Sequence, residues 1–160
     1  MSEIEEGFEE NLVDFYYSNA VQGIREEWLI NIDENWFNYI NNLPEKEKVT
    51  YHVAILDEEV ANGGFNQYFI NGYGQFAKDT VNSLKLIKAD KSSSLVQKAY
   101  DIVNSKNMAD NIFRSKLLSG KIKELYEYDS VVNNFLNELD DEYYEYEDNI
   151  AILLVNYLKE

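Results

Sequence analysis

The chain has 160 residues, 45% of them hydrophobic and 14% aromatic, which is enough for a packed core in a single domain and excludes intrinsic disorder. Thirty acids against 14 lysines and arginines give a net charge of −16, so nucleic acid and anionic membranes are repelled and basic proteins attracted. There is no cysteine, which excludes disulfides, thiolate metal sites and cysteine nucleophiles and fits a reducing compartment.

Helix is expected nearly throughout, because no stretch shows strand-like alternation bounded by turn signals. Residues 1–10 are acidic and polar, the reverse of a signal peptide. From Phe8 to Ile24 a first helix is predicted, with Phe8, Leu12, Phe15 and Tyr16 apolar. Trp28, Ile32, Trp36, Tyr39, Ile40 and Leu43 continue at roughly helical spacing up to the break at Leu43-Pro44. Pro44 suits the first turn of the next helix, and Glu45 and Glu47 favour its positive end. That helix is predicted over 45–61, with Val49, Val53, Leu56 and Val60 as its buried stripe. Asn62-Gly63-Gly64 stops it, and Phe65 to Asn71 form a short helical turn.

A further helix is predicted over 76–87, with Ala77, Val81, Leu84 and Ile87 inward. Ser92 or Ser93 caps another, through Leu95, Ala99, Ile102 and Val103. One short helix is predicted around 112–118. At the C-terminal end Leu136, Leu139, Tyr143, Tyr146, Ile150, Leu153 and Tyr157 alternate spacings of three and four, forming a single apolar stripe. The alternative is that Asp140 caps a second helix and splits the stripe in two. The longest apolar run, Ile150 to Val155, is far short of the roughly 18 residues that a membrane helix needs. The expected product is an all-α, single compact multi-helix domain over residues 1–160, located in the cytoplasm.

The charge is segregated along the chain. Residues 1–77 hold 15 acids against Arg25, Lys46 and Lys48, a net of −12. Residues 78–123 hold ten bases against four acids, a net of +6. Residues 124–160 hold 11 acids against Lys159, a net of −10. On an unbroken C-terminal helix, Glu138, Asp141, Glu145 and Asp148 fall on the outer face about 4.5–6 Å apart along the axis, similar in scale to a phosphate backbone. The alternative is an ordinary amphipathic helix with an acidic solvated face. Asp57 and Glu58 are further candidates for binding a basic protein.

Nothing in the chain points to chemistry. His52 is the only histidine and lies beside a buried stripe, so a packed structural role is expected. There is no nucleophile elbow and no phosphate-binding loop. Asp57-Glu58-Glu59 and Asp140-Asp141-Glu142 lack the spacing of a calcium loop. No catalytic residue, metal or cofactor is therefore assigned. The one locally specific stretch is Glu59, Asn62, Gly63, Gly64, Phe65, Gln67, Tyr68, Phe69 and Asn71. It reads as a helix stop, a tight turn and a short aromatic helix whose amides satisfy turn backbone. The functional alternative is a small amide-lined pocket that binds a small ligand or supports an enzyme.

These nine residues resemble the signature of a bacterial family of unknown function whose named member is a dimeric DNA-mimic protein. Leu139-Asp140 and Tyr143-Tyr144 are similar to that family's C-terminal segment, and the resemblance covers about residues 28–158. It implies an all-helical domain, a homodimer, and an acidic surface that imitates DNA and occupies a DNA-binding transcription regulator. The signature is not itself acidic and is read as marking the fold. The +6 middle departs from a uniformly DNA-like surface. A second partner class is a basic toxin neutralised by an immunity-type protein, because the same acidity serves it.

Overall fold

The computed structural model describes residues 3–160, with side chains described from residue 11 onward. The sequence-predicted contribution of Phe8 and the side chains of the acids in 1–10 lie outside the described residues. Among the described residues every regular element is helical, as the composition and periodicity predict. The helices are α1 (Glu3–Val21), α2 (Glu26–Ile30), α3 (Asn35–Asn41), α4 (Glu45–Ile70), α5 (Ala77–Leu86), α6 (Asp90–Val103), α7 (Asp110–Leu118), α8 (Val131–Tyr143) and α9 (Ile150–Leu158). Short 3-10 turns at Tyr73–Phe76 and Lys123–Tyr126 join α4 to α5 and α7 to α8.

Helix α4 is the centre of the molecule. It packs against α1, α5, α8 and α9, and α6 closes over α5 and α8. Val49, Val53, Leu56 and Val60 are buried, as their spacing predicts, and Phe65, Tyr68 and Phe69 extend the same core. Pro44 occupies the position just before the first helical residue of α4, and Glu45 and Glu47 lie in its first turn. His52 is buried, with Nδ1 2.9 Å from the Ser83 hydroxyl and Phe76 beside its ring.

The elements depart from the sequence reading at four places. The stripe from Trp28 to Leu43 is not one helix. The chain leaves α2 after Ile30, and Asp33 Oδ1 accepts from the Asn35 N–H at 2.9 Å to start α3 afresh, which leaves Ile32 exposed. Phe15 is exposed, whereas Leu12 and Tyr16 pack against the core. Helix α6 begins two residues before the predicted caps. Lys88 adopts φ +68° to close α5, and the Ala89 N–H reaches back to the Leu84 carbonyl at 2.8 Å, so α6 starts at Asp90. Ser92 and Ser93 are therefore inside the helix, and the Ser93 hydroxyl donates to the Val81 carbonyl at 3.0 Å.

The fourth departure is the C-terminal stripe, which is not continuous. Helix α8 ends at Tyr143, Tyr146 turns with φ +49°, and Asn149 caps α9 by accepting from the Ile152 N–H at 3.2 Å. Tyr146 is exposed in consequence, while Leu136, Leu139, Tyr143 and Ile150 keep their predicted burial. The break lets α9 fold back onto α1 and the start of α4. There the Tyr157 hydroxyl donates to Glu45 Oε1 at 3.2 Å, and Lys46 Nζ donates to the Leu158 carbonyl at 3.2 Å.

Candidate functional site

The nine-residue signature lies at a kink inside α4. Gly63 (φ −149°, ψ 16°) and Gly64 (φ 76°, ψ −177°) leave helical geometry, and the helix resumes at Phe65. Gly64 holds a conformation that is essentially restricted to glycine. An amide network holds the kink from one side. Asn62 Nδ2 donates to Gln67 Oε1 at 3.2 Å, Gln67 Nε2 donates to Glu59 Oε2 at 2.8 Å, and Asn71 Nδ2 donates to the same carboxylate oxygen at 2.9 Å. One acid thus clamps the helix before the kink to the helix after it. These amides bond one another and Glu59, an arrangement that builds a corner. Phe65 and Phe69 are both fully buried beneath it, with Phe65 edge-on to Tyr143, and the Tyr68 hydroxyl lies 3.4 Å from that of Thr80.

From the other side the corner is completed by α8. Asp140 Oδ1 accepts from the Phe65 N–H at 2.8 Å, so it caps the second segment of α4 across the fold. The sequence marks Asp140 as a cap for its own helix, but the helix end it satisfies lies 75 residues earlier. Burial pushes the Asp140 carboxyl up to about 6; the Phe65 N–H opposes that rise and Asp141 adds to it. Two tyrosines fix the same junction. Tyr143 donates to Asp57 Oδ1 at 2.7 Å, and Tyr144 donates to the Val60 carbonyl at 2.8 Å. Burial and the neighbouring Asp57 carboxylate raise the Tyr143 hydroxyl well above the ordinary tyrosine range, so it stays a donor.

The candidate acids fall into three groups. Glu58, Glu138, Asp141 and Glu145 are exposed. Asp57 is half-buried and accepts from Tyr143, so it also ties the α4–α8 junction. Asp148 is not part of a regular row, because the break after Tyr143 removes the rod on which that row was drawn. Its Oδ2 accepts from the Ser92 N–H at 2.7 Å and caps α6. The same packing sets Asp57 of α4 against Tyr143 at the acidic end of α8, while Glu58 and Glu59 lie towards Tyr17 and Tyr73. The basic middle takes a different location, on α5, α6, α7 and the turn that follows, where Lys78, Lys85, Lys88, Lys98 and Lys116 are exposed. Lys91 Nζ reaches Glu142 at 3.9 Å, where α6 meets α8.

Two residues that the sequence reading does not single out hold this region together. Asn133 is buried on the first turn of α8, and its Nδ2 donates to the carbonyls of Glu124, Leu125 and Glu127 at 3.0, 3.2 and 2.8 Å. Its Oδ1 accepts from Asn66 Nδ2 at 2.6 Å, and Asn66 also donates to the Leu125 carbonyl. The available signal was an asparagine at an inward position of a strongly amphipathic segment. An Asn133→Ala variant strands these partners, and the expected cost is about 2–3 kcal/mol, read from the urea midpoint.

A cleft of about 200 Å³ lies elsewhere, between the residues that precede α3 and helix α7. Its one guanidinium, Arg114, is already paired with Glu34 at 2.9 Å and with Asp110, and stacks 3.7 Å over Phe37. Among the described residues no group of three His, Asp or Glu side chains is placed to hold a metal ion, and no helix is long and apolar enough to cross a membrane.

No curated protein and no solved structure gives a significant match to the chain. A family model does match, over residues 41–160, and it spans α4, its glycine kink and the α8 segment that completes the corner. The chain belongs to the DMP19-like protein family.

Proposed function

We propose that this protein is an acidic protein-binding module that imitates DNA and occupies the nucleic-acid-binding surface of a basic DNA-binding protein. The observation that supports the reading is the contact of α4 with the acidic end of α8 through Asp57–Tyr143 and Phe65–Asp140, with Glu138, Asp141 and Glu145 exposed on and after α8 and Glu58 exposed on α4 towards Tyr17 and Tyr73. Their carboxylates would take the place of phosphates against lysine and arginine. The lysines of α5 to α7 restrict the imitation to one part of the surface.

The test is affinity capture from the native host at low and high salt, followed by competition with duplex DNA. A DNA-binding protein retained at about 50 mM salt and released at about 500 mM, and displaced by DNA, is the expected result. Exposed ion pairs contribute about 0.2–1 kcal/mol each, so the combined variant Glu58→Gln, Glu138→Gln, Asp141→Asn, Glu145→Gln should weaken that complex roughly 10- to 100-fold at low salt. Retention insensitive to salt, or a complex that binds DNA simultaneously through the same surface, would sink the reading.

A further inference from the structure

The start of α8 presents an apolar surface with nothing packed on it. Val131 and Phe135 lie one helical turn apart on the solvent side and are 69% and 49% exposed, while Tyr128, just before the helix, is 91% exposed. Tyr126 precedes them and is also exposed. Single exposed apolar residues are ordinary on a protein surface, but four of them within residues 126–135 are not scattered.

The segment is also held rigidly. The Ser130 hydroxyl donates to the Glu124 carbonyl at 2.7 Å and accepts from the Asn133 N–H at 3.1 Å, and Asn133 gathers the carbonyls of residues 124, 125 and 127. Asn66 ties this clasp to α4. The aromatic rings therefore emerge from a pre-formed turn, and a partner need not order that backbone.

Around the apolar residues the charge is acidic. Glu124, Glu127 and Asp129 are exposed in the preceding turn, and Glu138 and Asp141 follow Phe135 along the outer face of α8. Lys121 and Lys123 are the nearby bases, so the local balance remains negative. An apolar centre with a charged rim is the anatomy of a specific protein interface.

We propose that this face is a docking site for a basic protein segment with an apolar centre, such as an amphipathic helix with lysine and arginine along its edges. The proposal rests on the reading of the protein as an acidic module for a basic partner, and places the centre of contact at Tyr128, Val131 and Phe135. Charge complementarity selects this occupant. A second copy meeting the same face across a two-fold axis would set Glu124, Glu127, Asp129, Glu138 and Asp141 against their own equivalents. The acids supply orientation and salt dependence, and the apolar residues supply affinity that salt does not screen.

The test uses the full chain and two fluorescent synthetic peptides of equal charge: an amphipathic helix with a leucine stripe edged by lysine and arginine, and an oligolysine. Anisotropy is followed from about 50 to 300 mM salt. The amphipathic peptide should bind at least about tenfold more tightly. Combining Tyr128→Ser with Phe135→Ser should remove that advantage without changing the oligolysine affinity or the salt slope. Combining Glu138→Gln with Asp141→Asn should flatten the slope for both peptides. All four positions are exposed, and unchanged circular dichroism melts verify folding.

Equal binding of the two peptides, with no response to the serine variants, overturns the docking face and leaves the acidic-module reading standing. Failure of both peptides to bind overturns both. Light scattering that finds a dimer, converted to monomer by the serine variants, assigns the face to a second copy and overturns the basic partner.

Discussion

Replacing Gly64 with alanine is expected to cost at least about 3 kcal/mol, a large share of the roughly 5–15 kcal/mol that keeps a domain folded. Two costs coincide there. Alanine is strained at φ 76°, ψ −177°, a region that glycine alone occupies readily. Its Cβ would also stand 2.2 Å from Asp140 Oδ2 and 2.8 Å from Asp140 Cγ. The carboxylate cannot retreat without abandoning the Phe65 N–H, and the helix end it caps would then be unsatisfied. Urea unfolding of Gly64→Ala, Asp140→Ala and the double variant separates the costs. The double variant should regain only the steric part and remain less stable than Asp140→Ala alone. Gly63→Ala is the control. Its Cβ would meet the end of the Gln67 side chain at 2.0 Å, which can swing away, and Gln67 Cβ at 2.9 Å, which requires a small backbone shift, so about 2 kcal/mol is expected from that shift and the disturbed amide network, without the strain of a positive φ. Native stability in Gly64→Ala would mean that the kink is not a fixed part of the fold.

The second large effect is acid sensitivity through His52. Burial lowers its folded pKa to about 3, with a smaller contribution from Lys48, whereas the unfolded chain takes up the proton near 6.5. The neutral ring bonds Ser83 at Nδ1, and its Nε2 is buried without a partner, so nothing nearby compensates a positive charge. The unfolded state therefore binds the extra proton first. The stabilisation is complete above about pH 6.5 and is lost as pH falls towards 3, with a slope approaching about 1.4 kcal/mol per pH unit.

Asp140 works in the opposite sense. Its folded pKa is raised to about 6, so its contribution grows as pH falls from 6 towards the ordinary aspartate range and is lost again as pH rises through 6. Half exposed, it is the weaker of the two effects. Difference measurements isolate the histidine. His52→Asn should be less stable than the natural chain at pH 7, and the gap should close or reverse by pH 4. Parallel stability curves for the two proteins would rule out the histidine as the cause.

Much of the fold was legible in the chain. Val49, Val53, Leu56 and Val60 recur at helical spacing and are all buried, as are Ala77, Val81, Leu84 and Ile87. These are local patterns, and a helix buries whichever stripe its own periodicity creates. The junctions were harder. Trp28 to Leu43 keeps its spacing through a break, because Asp33 offers the backbone an Asx turn that periodicity does not record. The C-terminal stripe was open between one helix and two split at Asp140 for a related reason, and the structure has two, with the second capped by Asn149. An apolar residue every three or four positions fits one helix or two, and Asn149 with Tyr146 at positive φ selects two.

By itself, then, the sequence determined the helical class, the net charge of −16, the separation of acidic from basic stretches and the glycine corner as the most specific local feature. Those properties follow from residue identity and spacing along one segment. Only the tertiary structure decided what the acids do. Asp140 and Asp148 carry the same charge as Glu138 and Asp141, yet the first two cap α4 and α6 across the fold while the others face solvent. That division depends on which backbone N–H groups the packing leaves unsatisfied nearby, a relation between segments distant in the chain. The apolar start of α8 is similar, since Val131 and Phe135 are exposed only because no other element covers that side.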